Sequence, residues 1–275
     1  MGLGRRFLQS ISRWGLSALA VSLGSIVPLQ LAHATGCFPI AALEPRIVPA
    51  SFQSAAIPEN ATVQMRYLGH STYEIETREG ARAVTDYNGY YASESVPHIA
   101  TMNNAHSSHY TDMPDPAIEH VLRGWNPGGG LAEHDVTYRD LRVRNIPTSV
   151  HGREGAQGNS NSMFVFEVED LCIAHAGHLH HLLTNIHMGE LGIIDILMVP
   201  IDGVWTMSQE NMADVIDQIR PSVVMPMHYF SQGVLARFLA IMEDRGWNVA
   251  VSEEPTAAFS RLSLPTRTVL ILPIS

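Results

Sequence analysis

The sequence predicts an α/β protein, an αββα sandwich of two mixed sheets with helices on the outside. Two features of the chain support this prediction. Short β-rich segments joined by turn residues fill residues 62–176, and helices alternate with strands in the remainder. Strands first and βα alternation later are typical of two packed sheets covered by helices. Hydrophobic residues make up 45% of the chain and charged residues 16%, so a sizeable core is expected.

The first part of this domain is expected to contain seven strands. Each is short, rich in β-branched and aromatic residues, and bounded by turn residues. They are residues 62–68, 71–77, 81–86, 98–104, 141–150, 162–169 and 171–176. Glu169 and Asp170 are predicted to form a tight hairpin turn between the last two strands. Residues 113–135 are predicted to hold a short helical stretch and the turn NPGGG.

In the second part, helices are expected within residues 180–191, 208–220 and 234–246, with strands between and after them. Ser208, followed by Glu210 and Asn211, predicts a helix start, and Gly246 predicts a helix end. The apolar residues of the last two helices recur with the helical period, so we expect them in the core.

The first 35 residues have the three-part layout of an export signal. Three arginines precede an apolar run, and Ala-His-Ala follows as a small-residue cleavage site. Pro28 and several Ser and Gly residues interrupt the run, which disfavours a permanent membrane span. The paired arginines resemble a twin-arginine signal, and Cys37 ends a weak match to a lipoprotein box, which leaves a lipid anchor as an alternative. We predict a periplasmic or secreted protein with residues 36–60 as a linker or arm and residues 61–275 as the folded domain.

Charge and composition exclude several functions. The predicted signal holds three of the 17 basic residues and none of the 27 acidic ones, so the remainder carries a net charge of −13. This balance argues against nucleic acid or anionic lipid as a partner, and a small-molecule substrate is expected. The chain has no lysine, which excludes a Walker-type phosphate loop and a lysine Schiff base. Oligomeric state is not predicted.

The chain has two cysteines, Cys37 and Cys172. Two cysteines make neither a disulfide framework nor a thiolate metal site, although they could pair in an oxidising compartment. Cys172 lies in an apolar run, so a buried, inert thiol is the expected state.

Histidines follow several of the predicted strands. Loops at strand ends converge at the rim of a sheet, and neutral imidazole is a common ligand for zinc, manganese and iron. A single histidine at such a position is more often a polar cap, but four strand ends that each carry one predict a metal site. His70 lies in the turn between the first two strands, and the histidines at the four strand ends are His106 and His109, His151, the cluster His175, His178, His180 and His181, and His228.

The order of motifs resembles the metallo-β-lactamase superfamily, and within it the branch of ascorbate-phosphate-lactonase-like hydrolases, over residues 62–275. YLGHSTYEIET is similar to the opening hairpin of that branch, and VTDYN to its buried aspartate turn. NNAHSSHYTD falls where the family has H-x-H-x-D-H, and IAHAGHLHHLL where it has H-L-G-D-L-G-H. The resemblance implies an exported metal-dependent hydrolase that uses a metal-activated water on an ester, lactone, amide or phosphoester.

The resemblance also implies site residues, and three of them depart in type. Asn104 stands at the position of the first histidine, Ser108 at that of the aspartate that holds the nucleophilic water, and His178 at that of the aspartate that bridges two metals. The candidate metal positions are His106, His109, His151, His178, His228 and Asn104, and the candidate catalytic residues are His109, Ser108 and Asp86. Asp86, Asp112 and Asp202 are candidates for carboxylates that orient the imidazoles.

These departures change the expected metal content. A neutral imidazole has one lone pair and cannot bridge two ions, so we expect one ion per chain rather than two. His106, His151 and His178, helped by His109 or His228, would hold it. Zinc is the expected metal, with manganese and iron as alternatives.

Two alternatives stay open from the sequence. A shift of the loop by two or three residues would let His180 or His181 replace His178. The changed ligands also favour a catalytically degenerate protein that binds metal or ligand without hydrolysis. A Ser–His hydrolase built on Ser107 or Ser108 is disfavoured, because the chain has no G-x-S-x-G elbow.

Overall fold

Two mixed β-sheets and three helices build the domain, as the sequence predicts. The computed structural model describes Cys37 and residues 57–91, 93–152 and 155–275, and it describes only the backbone of residues 151, 152 and 155–158. The predicted export signal and most of the predicted linker lie outside these residues.

The strands are β1 (Val63–Gly69), β2 (Thr72–Thr77), β3 (Arg82–Val84), β4 (Ile99–Met102), β5 (His120–Arg123), β6 (Asp135–Tyr138), β7 (Leu141–Gly152), β8 (Gly155–Val168), β9 (Leu171–His175), β10 (Ile196–Pro200), β11 (Val223–Met227), β12 (Asn248–Val251), β13 (Thr256–Phe259) and β14 (Thr268–Ile271). The helices are α1 (Asn185–Leu191), α2 (Gln209–Ile219) and α3 (Gln232–Asp244).

The strand orders are β13-β1-β2-β3-β4-β5 in a six-stranded sheet and β12-β14-β11-β10-β9-β8-β7-β6 in an eight-stranded sheet. Strands β3, β4 and β5 are parallel in the first sheet, and β9, β10, β11, β14 and β12 are parallel in the second. The carboxyl ends of neighbouring parallel strands lie at one edge of a sheet, and ligands bind there in open α/β sheets. The loops that follow β4, β9, β10 and β11 therefore share a rim.

Side-chain caps set the beginnings of the helices. Ser208 accepts a hydrogen bond from the backbone N–H of Asn211 at the start of α2, and Ser231 does the same at α3. Helix α3 ends at Asp244 with Arg245 as its C-cap, and Gly246 follows with a φ of +79°, which agrees with the predicted stop. Helix α1 begins with a capping box between Thr184 and His187.

The core has two layers. One lies between the two sheets and contains the aromatic rings of Tyr73, Phe164 and Phe166. The other lies between the eight-stranded sheet and the helices, and it contains the apolar faces of α2 and α3, with Phe238 fully buried. All residues of β9, β10 and β11 are buried, as parallel strands covered on both faces must be. All three described helices follow strands of the eight-stranded sheet.

One sequence prediction about this part of the chain is wrong. Residues 113–135 contain no described helix. They contain β5, whose parallel pairing with β4 outweighs a weak local helical pattern. The predicted strands 141–150 and 162–169 are both longer than expected. Strands β7 and β8 form one long antiparallel hairpin, in which His151 pairs with Ala156. The predicted turns at NPGGG and at Glu169-Asp170 are confirmed.

A disulfide joins Cys37 to Cys172, 135 residues apart. The prediction of an inert thiol at Cys172 is therefore wrong, although the residue is fully buried as expected. The backbone of Cys37 is also held, because Ile193 N–H donates to its carbonyl oxygen at 2.8 Å. The lipid-anchored alternative would need the Cys37 sulfur that the disulfide occupies. In the described part of the chain, no helix combines the length and apolar character needed to cross a bilayer.

Candidate metal centre

Loops from both sheets bring histidines to one rim of the sandwich. His70 comes from the turn between β1 and β2, and His109 from the loop after β4. His178 follows β9 and His228 follows β11. One nitrogen from each of His70, His109 and His228 lies within 4.8 Å of the others. The cluster of these four histidines is called the imidazole cluster below.

His109 is held by a buried carboxylate. Its Nδ1–H donates to Asp86 Oδ2 at 2.6 Å, and both side chains have no solvent exposure. Burial by itself would raise the pKa of Asp86, but the His109 imidazole and the Asn103 backbone N–H hold that pKa well below its usual range. Asp86 is therefore an anion that fixes the His109 tautomer, which leaves the Nε2 lone pair available.

His228 is held in the same way by Asp202. The His228 Nδ1–H donates to Asp202 Oδ2 at 2.9 Å, and Thr206 Oγ1 donates to the same oxygen at 2.7 Å. Asp202 Oδ1 accepts from the backbone N–H groups of Val204, Trp205 and Thr206. Burial raises the pKa of this carboxyl, and the hydrogen bonds overcome that effect and lower it. Asp86 and Asp202 thus have the predicted orienting role, and no described contact gives that role to Asp112.

His70 lies beside His228, with ring centroids 4.3 Å apart. The His228 backbone N–H donates to the His70 carbonyl oxygen at 2.8 Å, so the two backbones are joined. Both residues have a positive φ, +52° at His70 and +55° at His228, and Asp86 has +44°. Such a backbone costs about 1–2 kcal/mol per residue and persists where the surroundings impose it, often at functional sites. All three of these positive-φ residues lie at this rim.

His178 completes the cluster. Its Nδ1 lies 3.0 Å from His109 Nε2, and its backbone N–H donates to Asn161 Oδ1 at 2.8 Å. Gly177 positions it with a φ of +59°, where a Cβ would stand 2.6 Å from the Asn103 Cβ. Burial lowers the pKa of His178 to about 3 and that of His70 to about 4, with the neighbouring imidazoles adding to both effects. Both rings are therefore neutral at pH 7, and each has one nitrogen lone pair.

The other predicted ligands occupy different places. His106 is exposed, its Nδ1 is 2.8 Å from Ser108 Oγ, and its ring centroid is 5.9 Å from that of His109. Asn104 donates through its amide to the Ser160 carbonyl at 2.7 Å and so ties the loop to β8. The side chain of His151 lies outside the described residues. Among the described side chains, the structure brings His70, His109 and His228 within reach of one another, whereas metal binding by His106 and His151 stays a prediction.

The remaining histidines near the rim have structural partners or lie apart. His181 accepts the Ser149 backbone N–H at 3.1 Å, which opposes its exchange with His178. His175 is buried and donates through Nε2 to the Ser71 carbonyl at 2.9 Å. His187 belongs to the capping box of α1. The ring of His180 lies 5.0 Å from that of His178 and lines the cavity next to the cluster.

A cavity of about 600 Å³ opens over the imidazole cluster. Its described lining has no charged side chain. Trp205 and Phe230 stand on it with 67% and 62% of their surface exposed, so each offers an aromatic face to a bound molecule. The lining residues are His70, Asn104, His106, Ser108, Val150, His178, His180, Trp205, His228 and Phe230.

The donors fit a metal ion of the nitrogen-preferring class. Imidazole nitrogens suit zinc, copper, iron and nickel, and a carboxylate behind each ligand is the usual support. His70 Nε2 is buried without a hydrogen-bond partner among the described residues, as an intended ligand would be. The sequence prediction missed His70 because a lone histidine in a tight turn is ordinarily a polar turn residue. Its position in GHS at the end of β1 was the available signal.

Comparisons with known proteins agree with this fold. A family model described as a beta-lactamase superfamily domain matches residues 64–228. A metal-dependent hydrolase of Symbiobacterium thermophilum is 27% identical over 225 residues, which cover 72% of this chain and 100% of the relative. A metal-dependent hydrolase of Salinibacter ruber is 22% identical over 215 residues, covering 66% and 91% of the two chains.

Two solved structures are similar in fold. A metallo-β-lactamase superfamily protein of Thermotoga maritima has a TM-score of 0.57 at 21% identity, covering 76% of this chain and 98% of the other. Igni18, a metallo hydrolase of Ignicoccus hospitalis, has a TM-score of 0.52 at 20% identity, covering 72% and 99%. The predicted sandwich fold is confirmed.

Proposed function

The chain belongs to the beta-lactamase superfamily, and from that premise we propose that it is a metal-dependent hydrolase whose metal lies at the imidazole cluster. The observation that carries the proposal is the pair of carboxylate-held imidazoles, the fully buried His109 on Asp86 and His228 on Asp202, of which His228 lines the open cavity. The names of the Symbiobacterium and Salinibacter relatives support it. Zinc is the proposed metal, with manganese and iron as alternatives.

A metal ion bound there would polarise a water molecule and the scissile carbonyl or phosphoryl group. The chain's own residues then have separate tasks. Asp86 and Asp202 keep the two imidazoles in the tautomer that leaves Nε2 free. His106 lines the cavity and is held by Ser108, and burial and the nearby histidines lower its pKa. A neutral imidazole at the cavity wall can accept a proton from the attacking water, so we assign this role to His106.

The substrate is proposed to be a neutral ester, lactone or amide with an apolar substituent. Trp205, Phe230 and Val150 line the cavity, and its described lining offers no arginine to pair with a phosphate. A charged phosphoester would lose hydration there without gaining a cationic partner, which is unfavourable. Apolar acyl groups gain about 25 cal/mol for each Å² removed from water.

A second candidate function is metal binding without hydrolysis. The observation that favours it is at Ser108, where a hydroxyl paired with His106 offers no carboxylate to hold the attacking water. In this case the chain would bind metal fully and hydrolyse none of the substrate classes.

Export to an oxidising compartment is also proposed. The disulfide between Cys37 and Cys172 supports it, because such bonds persist in periplasmic and secreted proteins and are rare in the cytosol. The layout of residues 1–35 agrees with this location.

The test uses the exported protein purified without a histidine tag or chelator. Metal content per chain is measured together with initial rates on p-nitrophenyl esters of increasing acyl length, a γ-lactone and a p-nitrophenyl phosphodiester. We expect ester or lactone turnover that rises with acyl length, is lost on chelation and returns with added zinc. His109→Ala should abolish both metal and turnover, whereas His120→Ala, on strand β5, is the matched control that keeps both. Bound metal with no turnover on any substrate would favour the second candidate.

A further inference from the structure

We propose that this chain holds one metal ion with four imidazoles, those of His70, His109, His178 and His228, and that His70 is the fourth ligand. The proposal rests on the metal-binding part of the proposed function and not on turnover. Zinc can expand to five ligands, so the water of the proposed function would be a fifth ligand. It differs from the sequence prediction in two ways. The ion is placed away from His106, and a histidine from the opening hairpin of the six-stranded sheet becomes part of the site.

The first support is the way the backbone fixes His70. The Tyr67 hydroxyl and the His228 backbone N–H both donate to the His70 carbonyl oxygen, each at 2.8 Å. Gly69 precedes it with a φ of +119°, and a Cβ there would lie 2.8 Å from the Tyr91 ring. The turn therefore has little freedom to move, and it holds the His70 ring 4.3 Å from the His228 ring and 5.4 Å from the His109 ring.

The second support is the free nitrogen of His70. Its Nε2 is buried and has no hydrogen-bond partner in the described part of the protein. Buried polar atoms in native proteins nearly always have a partner, and an orphan of this kind is explained by an ion or water at that point. A merely space-filling role beside Phe230, at 5.7 Å between centroids, would not account for a His70 nitrogen within 4.8 Å of nitrogens on two other imidazoles.

The third support is the spacing of the donor atoms. Around a tetrahedral zinc ion with Zn–N bonds of about 2.0 Å, ligand nitrogens stand about 3.3 Å apart. His178 Nδ1 and His109 Nε2 are already 3.0 Å apart. The nitrogens of His70, His109 and His228 lie within 4.8 Å of one another, so they need to approach by at most about 1.5 Å.

The fourth support is the balance of charge and the number of lone pairs. Four neutral imidazoles leave a divalent ion with its full charge, and the two anions behind them, Asp86 and Asp202, offset it. Each imidazole has one lone pair for metal, and neither carboxylate faces the cluster with a free oxygen. The described donors therefore suit a single ion, and an all-nitrogen set prefers zinc, copper, nickel or cobalt to magnesium or calcium.

The experiment measures metal content and coordination, independent of turnover. Full-length protein is stripped of metal and reloaded with zinc, and metal per chain is determined by plasma mass spectrometry. X-ray absorption then counts the imidazoles around the ion. We expect one zinc per chain with four imidazoles. His70→Gln should weaken zinc binding at least tenfold and leave three imidazoles, while His120→Gln changes neither value.

A second variant guards against a folding defect in His70→Gln. His70→Cys loaded with cobalt should show a thiolate-to-cobalt charge-transfer band in the near ultraviolet, which only direct coordination at position 70 produces. Two zinc ions per wild-type chain would overturn the inference, as would unchanged zinc affinity in folded His70→Gln. Cobalt bound by His70→Cys without the band would overturn it as well.

The two proposals fail separately. One zinc with four imidazoles and no turnover would leave the inference standing and remove the hydrolase. Turnover that survives in fully metal-loaded His70→Gln, with the wild-type imidazole count, would overturn the inference about His70 and leave the hydrolase standing.

Discussion

Substituting both cysteines with alanine opens a covalent loop that spans 135 residues of sequence. In the native fold this bond holds residue 37 against the beginning of β9, the strand that leads to His178. Loss of the bond restores conformational freedom to the unfolded chain. The entropy of closing a 135-residue loop corresponds to about 5 kcal/mol at 25 °C, which is the expected fall in the free energy of unfolding.

The assay is urea unfolding of the wild-type protein in oxidising and reducing buffer, alongside the double alanine variant. The reduced wild type keeps every side-chain atom, so its difference from the oxidised protein isolates the covalent constraint. The variant should lie within about 1 kcal/mol of the reduced protein, since it removes only two small buried thiols. A non-reducing peptide map identifies the linked Cys37 and Cys172 peptides. Equal stabilities in the two buffers, or no linked peptide, would refute the reasoning.

Three further predictions concern the rim. Asp202→Ala should weaken zinc binding about 10- to 100-fold by releasing His228, measured by competition with a chromogenic chelator; unchanged affinity would contradict the role of that carboxylate. Gly177→Ala should lower the free energy of unfolding by more than 1 kcal/mol and reduce zinc affinity, because the φ of +59° and the clash with the Asn103 side chain both displace His178. Burial lowers the pKa of His175, so the metal-free protein should lose stability as pH falls below the unfolded-state value of about 6.5. A His175→Gln variant should show a smaller loss between pH 7 and pH 5 in urea unfolding, and an equal loss would exclude this cause.

The elements that could be predicted are those whose pattern is local. Strands β9, β10 and β11 are fully buried, mostly apolar runs that a polar residue follows within three positions, so their positions and the rim they form were predictable. The same is true of His109, His178 and His228 as rim residues. The caps Ser208 and Gly246 also match the predicted helix ends, because capping depends on residues within one turn.

The errors arise where the outcome depends on distant parts of the chain. His70 joins the cluster because the β1–β2 turn of one sheet meets the β11 end of the other, and no local spacing encodes that packing. His106 is exposed at the cavity wall while His109 is fully buried, and the turn closed by the 2.7 Å bond from the His109 N–H to the His106 carbonyl joins the two positions. The length of the β7–β8 hairpin was missed because residues 155–161 are small or polar, without the apolar alternation that identifies a half-buried strand.

Asp202 joins two parts of the molecule through one carboxylate. Its Oδ2 accepts a hydrogen bond from His228, and its Oδ1 accepts hydrogen bonds from backbone N–H groups of the loop that carries Trp205 to the cavity wall. An ion that withdraws electron density from His228 makes its Nδ1–H a stronger donor, so the carboxylate charge shifts toward that oxygen and away from the loop. We therefore expect the loop to be looser when the ion is present. The cavity mouth would then widen only in the metal-loaded protein, and Trp205 fluorescence would report occupancy without an added dye.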